Sequence, residues 1–460
     1  FMCTLDQILT KKDYSRKTPA SLFYKDSPLW QRLLAIGCVV FLSGAGLGEW
    51  KVLNGMLGGL PKAISLGVIG LAVLYALFYP DEKRLRELWK PTLLYMSLMV
   101  ALFFWSMVIW IKSFATVSSM IRSCSKLVFQ SIAILTAVAL VYLFREKAIE
   151  LFTISICITN GAIMLLCIPE YGVGASIQSL ITCLVTFGDA VGYARQLEIH
   201  DLTFVFGQMI LYYAVFAPRT TRQEKRKRWR YLLLCCWFFL VGMKRIAIPA
   251  VVLFILIALL LRKRKVPSWF YPAVGVCCIL FFLAFLYGVR YGIISRLLNS
   301  VGVDMMGRDY LWSMANPYYE FSVTYLGHGF EYVDTIIGQW YNAGLINHPY
   351  PFHNDILKVF VEVGFPGFLL WSGIQYVLTP LFWQRYADQE TTLLYLSELG
   401  YMTVTYLTDN TAFYFWSTMA LRLVTFAYAM ERKKPPEPKV WMPDSRQEMR
   451  DRIRILMKEV

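Results

Sequence analysis

The sequence has few charged residues and very few histidines. Only 17% of its 460 residues are charged, whereas soluble domains carry about a quarter, and only four residues are histidine. Hydrophobic residues make up 57% of the chain. Apolar runs of about 20 residues, the length that crosses a bilayer, recur along most of it. These features exclude an ordinary soluble protein and predict an all-α polytopic membrane protein.

Signals of disulfide, metal and nucleic-acid binding are also missing. The ten cysteines are scattered, most of them in apolar runs, and no CxxC pair occurs. His348 and His353 lack the spacing of a metal-binding motif, so no metal is predicted. The net charge of +15 fits the excess of lysine and arginine in cytoplasmic loops of membrane proteins. No nucleic-acid-binding motif is present, and no nucleic-acid partner is expected.

Hydropathy predicts about twelve transmembrane helices. They are placed near residues 30–48, 61–79, 91–112, 125–144, 148–168, 202–217, 229–243, 246–261, 269–289, 356–383, 392–408 and 411–430. A long loop precedes the tenth span. A loop of that length without obvious secondary structure is usually functional.

Five basic segments orient these spans. They are DEKRLREL, FREKA, RTTRQEKRKRWR, LRKRK and ERKKPPEPK. All five face the cytoplasm only if residues 170–200 do not cross, which predicts a re-entrant or interfacial helix there on the outer side, lining a candidate site.

The resulting scheme divides the chain into five parts, with both termini in the cytoplasm. They are a cytoplasmic segment (1–29), transmembrane helices 1–9 (30–289), an extracytoplasmic catalytic loop (290–355), transmembrane helices 10–12 (356–430) and a cytoplasmic amphipathic tail (431–460).

Several cations fall on the predicted outer face. Lys244 and Arg245 interrupt two apolar runs and should stand in a tight outer hairpin. Snorkelling to lipid headgroups and clamping of a phosphate are both open for them. Arg308 follows Gly307 in the long loop, where it either pairs with an aspartate or binds an anion.

His353 stands just before a predicted helix start, with Asn354 and Asp355 as first-turn residues. The positive end of a helix dipole favours neutral imidazole, the form that a general base needs. An ordinary interfacial histidine is the alternative. The loop is also rich in aromatic residues such as Tyr310 and Trp312, which suit either an interface belt or stacking of sugar rings.

Three charged residues lie at similar depth in the last three predicted spans. Intramembrane charges generally pair. We therefore expect a network of Glu362 and Glu398 with Arg422 that holds these helices together. Glu362, nine residues after His353, would point to the opposite helix face.

The motifs resemble one known family. HNDILKVFVEVGFPGF is similar to the His-Asn…Glu-x-Gly signature of the bacterial O-antigen ligase/polymerase family. GRDYLW and YLGHGF resemble its Gly-Arg and Gly-x-Gly segments, and GMKRIA resembles its outer arginine hairpin. The resemblance covers the chain from about Arg195 onward. It implies a GT-C-like helical membrane fold and glycan transfer from undecaprenyl pyrophosphate to an acceptor hydroxyl, with no metal or other cofactor.

The same resemblance implies roles for individual residues. Arg245 and Arg308 would bind the pyrophosphate and stabilise its charge as it leaves, and His353 would deprotonate or orient the acceptor hydroxyl. The further substrate-binding candidates are Arg195, Lys244, His328, Asn354, Tyr310 and Trp312.

The expected function is that of an inverting polysaccharide polymerase that extends a lipid-linked repeat unit. A ligase that transfers the glycan to lipid A core or another acceptor is the alternative. A transporter is disfavoured because the charges cluster on one face and no internal repeat occurs. The expected partners are the lipid-linked oligosaccharide, the bilayer, and a chain-length regulator or flippase. The expected location is the bacterial cytoplasmic membrane, with the active site on the extracytoplasmic face.

Overall fold

The regular secondary structure is entirely helical in the part of the chain that the structure describes, which confirms the predicted all-α class. A computed structural model describes residues 29–53, 58–113, 116–186, 190–302, 305 and 307–432. The predicted N-terminal segment before Leu29 and the predicted amphipathic tail after Arg432 lie outside these residues.

Each predicted span corresponds to a helix. In chain order the helices are α1 (Leu29–Leu47), α2 (Leu60–Phe78), α3 (Glu82–Ser113), α4 (Val117–Phe144), α5 (Ala148–Tyr171), α6 (Val173–Thr186), α7 (Tyr193–Gln196), α8 (His200–Leu211), α9 (Arg222–Val241), α10 (Ala247–Arg262), α11 (Phe270–Arg290), α12 (Ile293–Ser300), α13 (Arg308–Ala315), α14 (Tyr332–Asn342), α15 (Asp355–Gly373), α16 (Thr379–Tyr386), α17 (Gln389–Thr408) and α18 (Phe415–Arg432). Two π-helical turns, Tyr212–Phe216 and Ile374–Leu378, extend α8 and join α15 to α16.

Five helical stretches of the described chain are long and apolar enough to cross a membrane by length and composition. They are Leu60–Phe78, Glu82–Ser113, Val117–Tyr171, Phe270–Arg290 and Asp355–Tyr386. The protein is therefore a helical membrane protein, and the total of about twelve spans stays a prediction.

The described parts of the basic segments predicted to be cytoplasmic meet at one end of the bundle, which we call the basic end. Ion pairs join several helix ends there. They are Arg145–Asp81 (3.2 Å), Lys227–Glu150, Arg262–Glu390 (2.5 Å) and Arg432–Glu390 (2.6 Å). Because these pairs connect the ends of α3, α4, α5, α9, α10, α17 and α18, the helices run alternately toward and away from this end.

The segment at residues 170–200 contains α6 and α7. Exposed apolar residues recur every four positions along α6, at Val173, Ile177, Ile181 and Val185, so they share one helix face. An outward-facing apolar stripe is what a helix at a membrane surface requires.

The long loop is more ordered than expected. It contains α12, α13 and α14, so the expectation of a loop without secondary structure is wrong. In α14 the buried residues Val333, Ile336, Ile337 and Trp340 recur at helical spacing, which lets this short helix pack one face against α15.

The predicted network of Glu362 and Glu398 with Arg422 is also wrong. The Glu362 carboxylate accepts a hydrogen bond from the backbone N–H of Val333 (3.2 Å) and lies 3.9 Å from Lys358 Nζ. Neither carboxylate oxygen of Glu398 has a hydrogen-bond partner in the described part of the chain. Arg422 lies over the ring of Tyr95, 4.7 Å from its centroid. Similar depth in the membrane does not bring side chains together when their helices present them to different neighbours.

Candidate functional site

A cavity of about 580 Å³ opens at the end of the bundle away from the basic end. The helix α17 begins beside the basic end and has 20 residues, so it is about 30 Å long and delivers Asp409 to the opposite end. We call this cavity the outer cavity. Its acidic and basic lining residues are Glu49, Lys51, Lys62, Lys126, Glu198, Asp201, His353 and Asp409.

His353 reaches the cavity because the chain turns sharply into α15. The side-chain oxygen of Asn354 accepts a hydrogen bond from the Leu357 N–H (3.0 Å) and caps the helix, which confirms the predicted helix start. Asp355 accepts one from the Ala412 N–H (2.7 Å) and ties α15 to the connection between α17 and α18. His353 itself has a positive φ of 48°, which is uncommon for a residue with a Cβ.

A chain of charged side chains leads from His353 through the cavity wall. His353 Nδ1 lies 3.4 Å from Asp409 Oδ1. The other Asp409 oxygen lies 3.6 Å from Lys244 Nζ, which pairs with Glu198 at 2.9 Å. Four separate segments therefore meet here, although they are far apart in sequence.

This arrangement suits proton transfer at His353. A proton on Nδ1 directed at Asp409 leaves Nε2 as the acceptor, and the carboxylate stabilises the imidazolium that forms when Nε2 takes up a proton. The His353 side chain is 27% exposed, so a substrate hydroxyl can approach it. These are the properties of a general base with an orienting partner.

Residues 231–372 match the family model described as O-Antigen ligase. This segment is therefore similar to the O-antigen ligase family. The match confirms the resemblance predicted from the motifs at Arg245, Arg308 and His353. No curated protein matches the chain.

The O-antigen ligase segment supplies only part of the outer cavity. Of the lining residues it contains Tyr350, Pro351 and His353, whereas Glu198 and Asp409 lie outside it. The sequence analysis missed Asp409, because nothing in its local sequence distinguishes an aspartate at a helix end from a capping residue.

Three cavity lysines, Lys51, Lys62 and Lys126, also lie outside the matched segment, and the sequence analysis missed them. Lys62 Nζ donates to the Gly58 carbonyl (3.0 Å) and lies 4.9 Å from the Phe129 ring centroid. Lysines are rare in outer loops, so their position beside apolar runs on the predicted outer side was a usable signal.

Two of the cavity carboxylates have structural partners. Asp201 accepts hydrogen bonds from the N–H groups of Trp416 (2.8 Å) and Ser417 (3.0 Å) and anchors the start of α18. Glu49 accepts one from the Trp416 indole N–H (3.3 Å). Burial raises the pKa of Glu49, while Lys62, this hydrogen bond and Lys126 act to lower it. Asp201 and Glu49 therefore hold α18 in place beside the cavity.

The predicted outer arginines lie near the ends of short helices. Arg195 is exposed in α7, Arg245 is exposed in the turn between α9 and α10, and Arg308 is half-buried as the first residue of α13. None of the three belongs to the described residues that line the outer cavity. The structure brings Lys244 to His353 through Asp409.

Of the other residues predicted to bind substrate, two are buried and one is exposed. Trp312 is 4% exposed and donates from its indole N–H to the Phe352 carbonyl (2.9 Å), and Asn354 is fully buried as a helix cap. These contacts leave both side chains occupied in packing rather than presented to the cavity. Tyr310 is 55% exposed.

His328 also packs inside the loop. Its ring stacks on Tyr332 with centroids 4.3 Å apart, and its Nε2 lies 2.9 Å from the Tyr318 carbonyl oxygen. Burial lowers the pKa of His328, against that hydrogen bond, which raises it. The structure thus gives His328 loop-packing contacts in place of a cavity position.

A buried ionic cluster fastens the long loop to α15. Lys358 Nζ lies 3.1 Å from Asp334 and 3.3 Å from Glu331, both in or next to α14. One turn further on, the Glu362 carbonyl accepts hydrogen bonds from the N–H groups of His328 (3.0 Å) and Gly329 (2.7 Å). Because α15 begins two residues after His353, this cluster also holds the loop beside the outer cavity.

Proposed function

We propose that this protein is a membrane glycosyltransferase that transfers a glycan from a lipid pyrophosphate to an acceptor hydroxyl in the outer cavity. The observation that carries the proposal is the His353–Asp409 pair. Among the histidines whose side chains are described, only His353 lines the cavity, and it lies within the matched O-antigen ligase segment.

The reaction is a direct displacement at the anomeric carbon. Nε2 of His353 takes the proton of the acceptor hydroxyl as its oxygen attacks, and Asp409 holds the imidazole in the required tautomer. The bond between the anomeric carbon and the phosphate oxygen breaks, the lipid pyrophosphate leaves with that electron pair, and the configuration inverts.

Cations at the outer end would stabilise the departing pyrophosphate. We assign this role to Arg245 and Arg308, whose planar guanidinium groups match phosphate oxygens. The described cavity lining contains four carboxylates, Glu49, Glu198, Asp201 and Asp409, against three lysines. A lining without excess positive charge suits a neutral acceptor glycan. The anionic donor is therefore expected to approach the cavity from the side where Arg245 and Arg308 lie.

The substrate is proposed to be undecaprenyl pyrophosphate-linked oligosaccharide, and the product a longer lipid-linked chain, as made by a polymerase in the cytoplasmic membrane. The second candidate is a ligase that transfers the glycan to lipid A core or another acceptor. The description of the matched family model as O-Antigen ligase favours it. Both reactions use the same donor and the same base.

The decisive experiment incubates purified protein with the lipid pyrophosphate-linked repeat unit, in EDTA and without nucleotide sugar, and separates the products by gel electrophoresis. A ladder of chain lengths is the result expected for a polymerase. A single shifted band that requires an added acceptor is the result expected for a ligase.

The same assay also tests the role proposed for His353. Product formation at the wild-type rate by the His353→Ala variant would overturn the assignment of the base. Absence of any product with both acceptor types, from protein that is folded and monodisperse, would overturn the proposed glycosyl transfer.

A further inference from the structure

A second cavity, of about 660 Å³, opens at the basic end between α5 and α9. It lies at the opposite end of the bundle from His353, and the proposed glycosyl transfer does not use it. Its polar wall consists mainly of side chains from the first turns of α9 and from the connection that precedes α5.

The wall of this inner cavity is strongly positive. It carries five cationic residues against one carboxylate, Glu150. The cations are Lys147, Arg222, Arg226, Lys227 and Arg230. Glu150 is already engaged by Lys227 and by the hydroxyl of Tyr231 (2.7 Å), so it cannot neutralise the other cations.

Three of the arginines repeat every four residues along α9. Arg222, Arg226 and Arg230 therefore stand above one another on a single helix face. Like charges at this spacing destabilise a helix, and the structure shows no ion pair for these three arginines among the residues it describes. An anionic ligand in the cavity would remove this repulsion.

The cavity continues into an apolar surface. Ile154 and Leu234 line it below the cations. One turn further along the same two helices, Ile158 is 47% exposed and Trp237 is 44% exposed. A ligand that fills the whole feature has an anionic head among the arginines and an apolar tail along α5 and α9.

We propose that the inner cavity binds the phosphate of an anionic phospholipid, with the acyl chains against Ile158 and Trp237. Guanidinium groups form paired hydrogen bonds with phosphate oxygens, and basic pockets between membrane helices bind anionic headgroups in this way. This site is independent of the proposed glycosyl transfer.

Native mass spectrometry of the purified full chain tests the proposal. The protein is equilibrated in micelles with equal amounts of phosphatidylglycerol and phosphatidylcholine, and the bound lipids are counted. The test variant is Arg226→Gln/Arg230→Gln. The control variant is Lys83→Gln/Lys225→Gln, which removes two positive charges from exposed residues at the same end that lie outside the cavity.

Wild type and control should retain phosphatidylglycerol over phosphatidylcholine, and the test variant should lose this preference by about fivefold for each arginine removed. Equal preference in all three proteins would overturn the proposal. So would displacement of the lipid by excess inorganic phosphate, which would indicate a site for free phosphate. If the double variant does not fold, the single Arg226→Gln and Arg230→Gln variants give the same comparison.

Discussion

His353 combines an uncommon backbone conformation with a carboxylate partner. Its φ of 48° is tolerated because Asn354 and Asp355 fix the chain on one side. Strained backbone of this kind persists only where the surroundings impose it, and it clusters at functional sites. The strain and the contact with Asp409 thus point to the same residue.

Removal of the proposed base should abolish most of the activity. His353→Ala should lower the turnover rate of glycan transfer by roughly two to four orders of magnitude, because that is the usual contribution of a positioned proton acceptor. Asp409→Asn should also lower the turnover rate, because it removes the charge that fixes the tautomer of the base and stabilises its imidazolium. Turnover with purified lipid-linked donor measures both.

The matched control is His348→Ala. His348 is exposed in the same loop and does not line the cavity, so its variant should retain wild-type turnover. Equal losses in the His348 and His353 variants would indicate damage to the loop instead of removal of a base.

His328 should make the stability of the folded protein decrease at acidic pH. Burial lowers the pKa of its imidazole below the ordinary 6.5, so the unfolded chain binds a proton at a higher pH than the folded protein. The contribution of neutral His328 to the free energy of unfolding is fully present above pH 6.5. It decreases as the pH falls from 6.5 through the lowered pKa of the folded protein.

The variant His328→Gln keeps a donor for the Tyr318 carbonyl but cannot titrate. Compared with wild type, it should lose less thermal stability between about pH 7.5 and about pH 5.5. Tryptophan fluorescence during thermal unfolding measures the difference. Parallel pH profiles in both proteins would contradict the prediction.

At the scale of elements, the crossing of the long loop over α15 depends on two glycines. Gly364 has φ 67° and ψ −173° inside the helical run, and Gly327 has φ 88°. Only glycine adopts the Gly364 conformation readily. A Cβ at Gly364 would also overlap backbone atoms of Tyr325 and Leu326.

Gly364→Ala should therefore destabilise the protein by about 1–3 kcal/mol from backbone strain alone, with more from the overlap. The control is Gly373→Ala at the end of the same helix, where a Cβ meets no atom within 4 Å. That variant should be neutral or slightly stabilising. Thermal unfolding of both variants in detergent measures the effect, and equal melting temperatures would refute the role given to Gly364.

Hydropathy predicts the ends of apolar helices closely but misses helix ends that are charged. The prediction 246–261 corresponds to α10 (Ala247–Arg262), where apolar and helical residues coincide. The prediction 91–112 starts nine residues too late, because α3 begins at Glu82. Its first turns are charged, and Asp81 caps them by accepting a hydrogen bond from the Arg84 N–H (3.0 Å). Hydropathy detects the membrane-facing part of a helix and not its polar extension.

At the scale of the whole molecule, the two ends of the bundle differ in chemistry. The basic end holds the described parts of the basic segments with their ion pairs, and the other end holds the outer cavity. Because basic loops stay in the cytoplasm, we expect the outer cavity on the extracytoplasmic face.

Cysteine labelling tests this orientation. In intact cells, a membrane-impermeant maleimide should label Glu320→Cys in the long loop and should not label Lys225→Cys at the basic end until the cells are lysed. Both positions are exposed, and the parent protein with its native cysteines provides the background. Labelling of Lys225→Cys in intact cells would reverse the orientation.

The sequence by itself determined the helical membrane class, the resemblance to the O-antigen ligase family and the histidine before α15, because these depend on local composition and on motifs of contiguous residues. Only the tertiary structure decided which groups meet His353. Asp409, Lys244 and the cavity lysines come from separate segments that are far apart in the sequence. It also decided that Glu398 and Arg422 do not pair, and that Glu362 supports the loop. Contacts between helices depend on which faces pack together, and side-chain spacing along one helix does not specify the neighbour that each face meets.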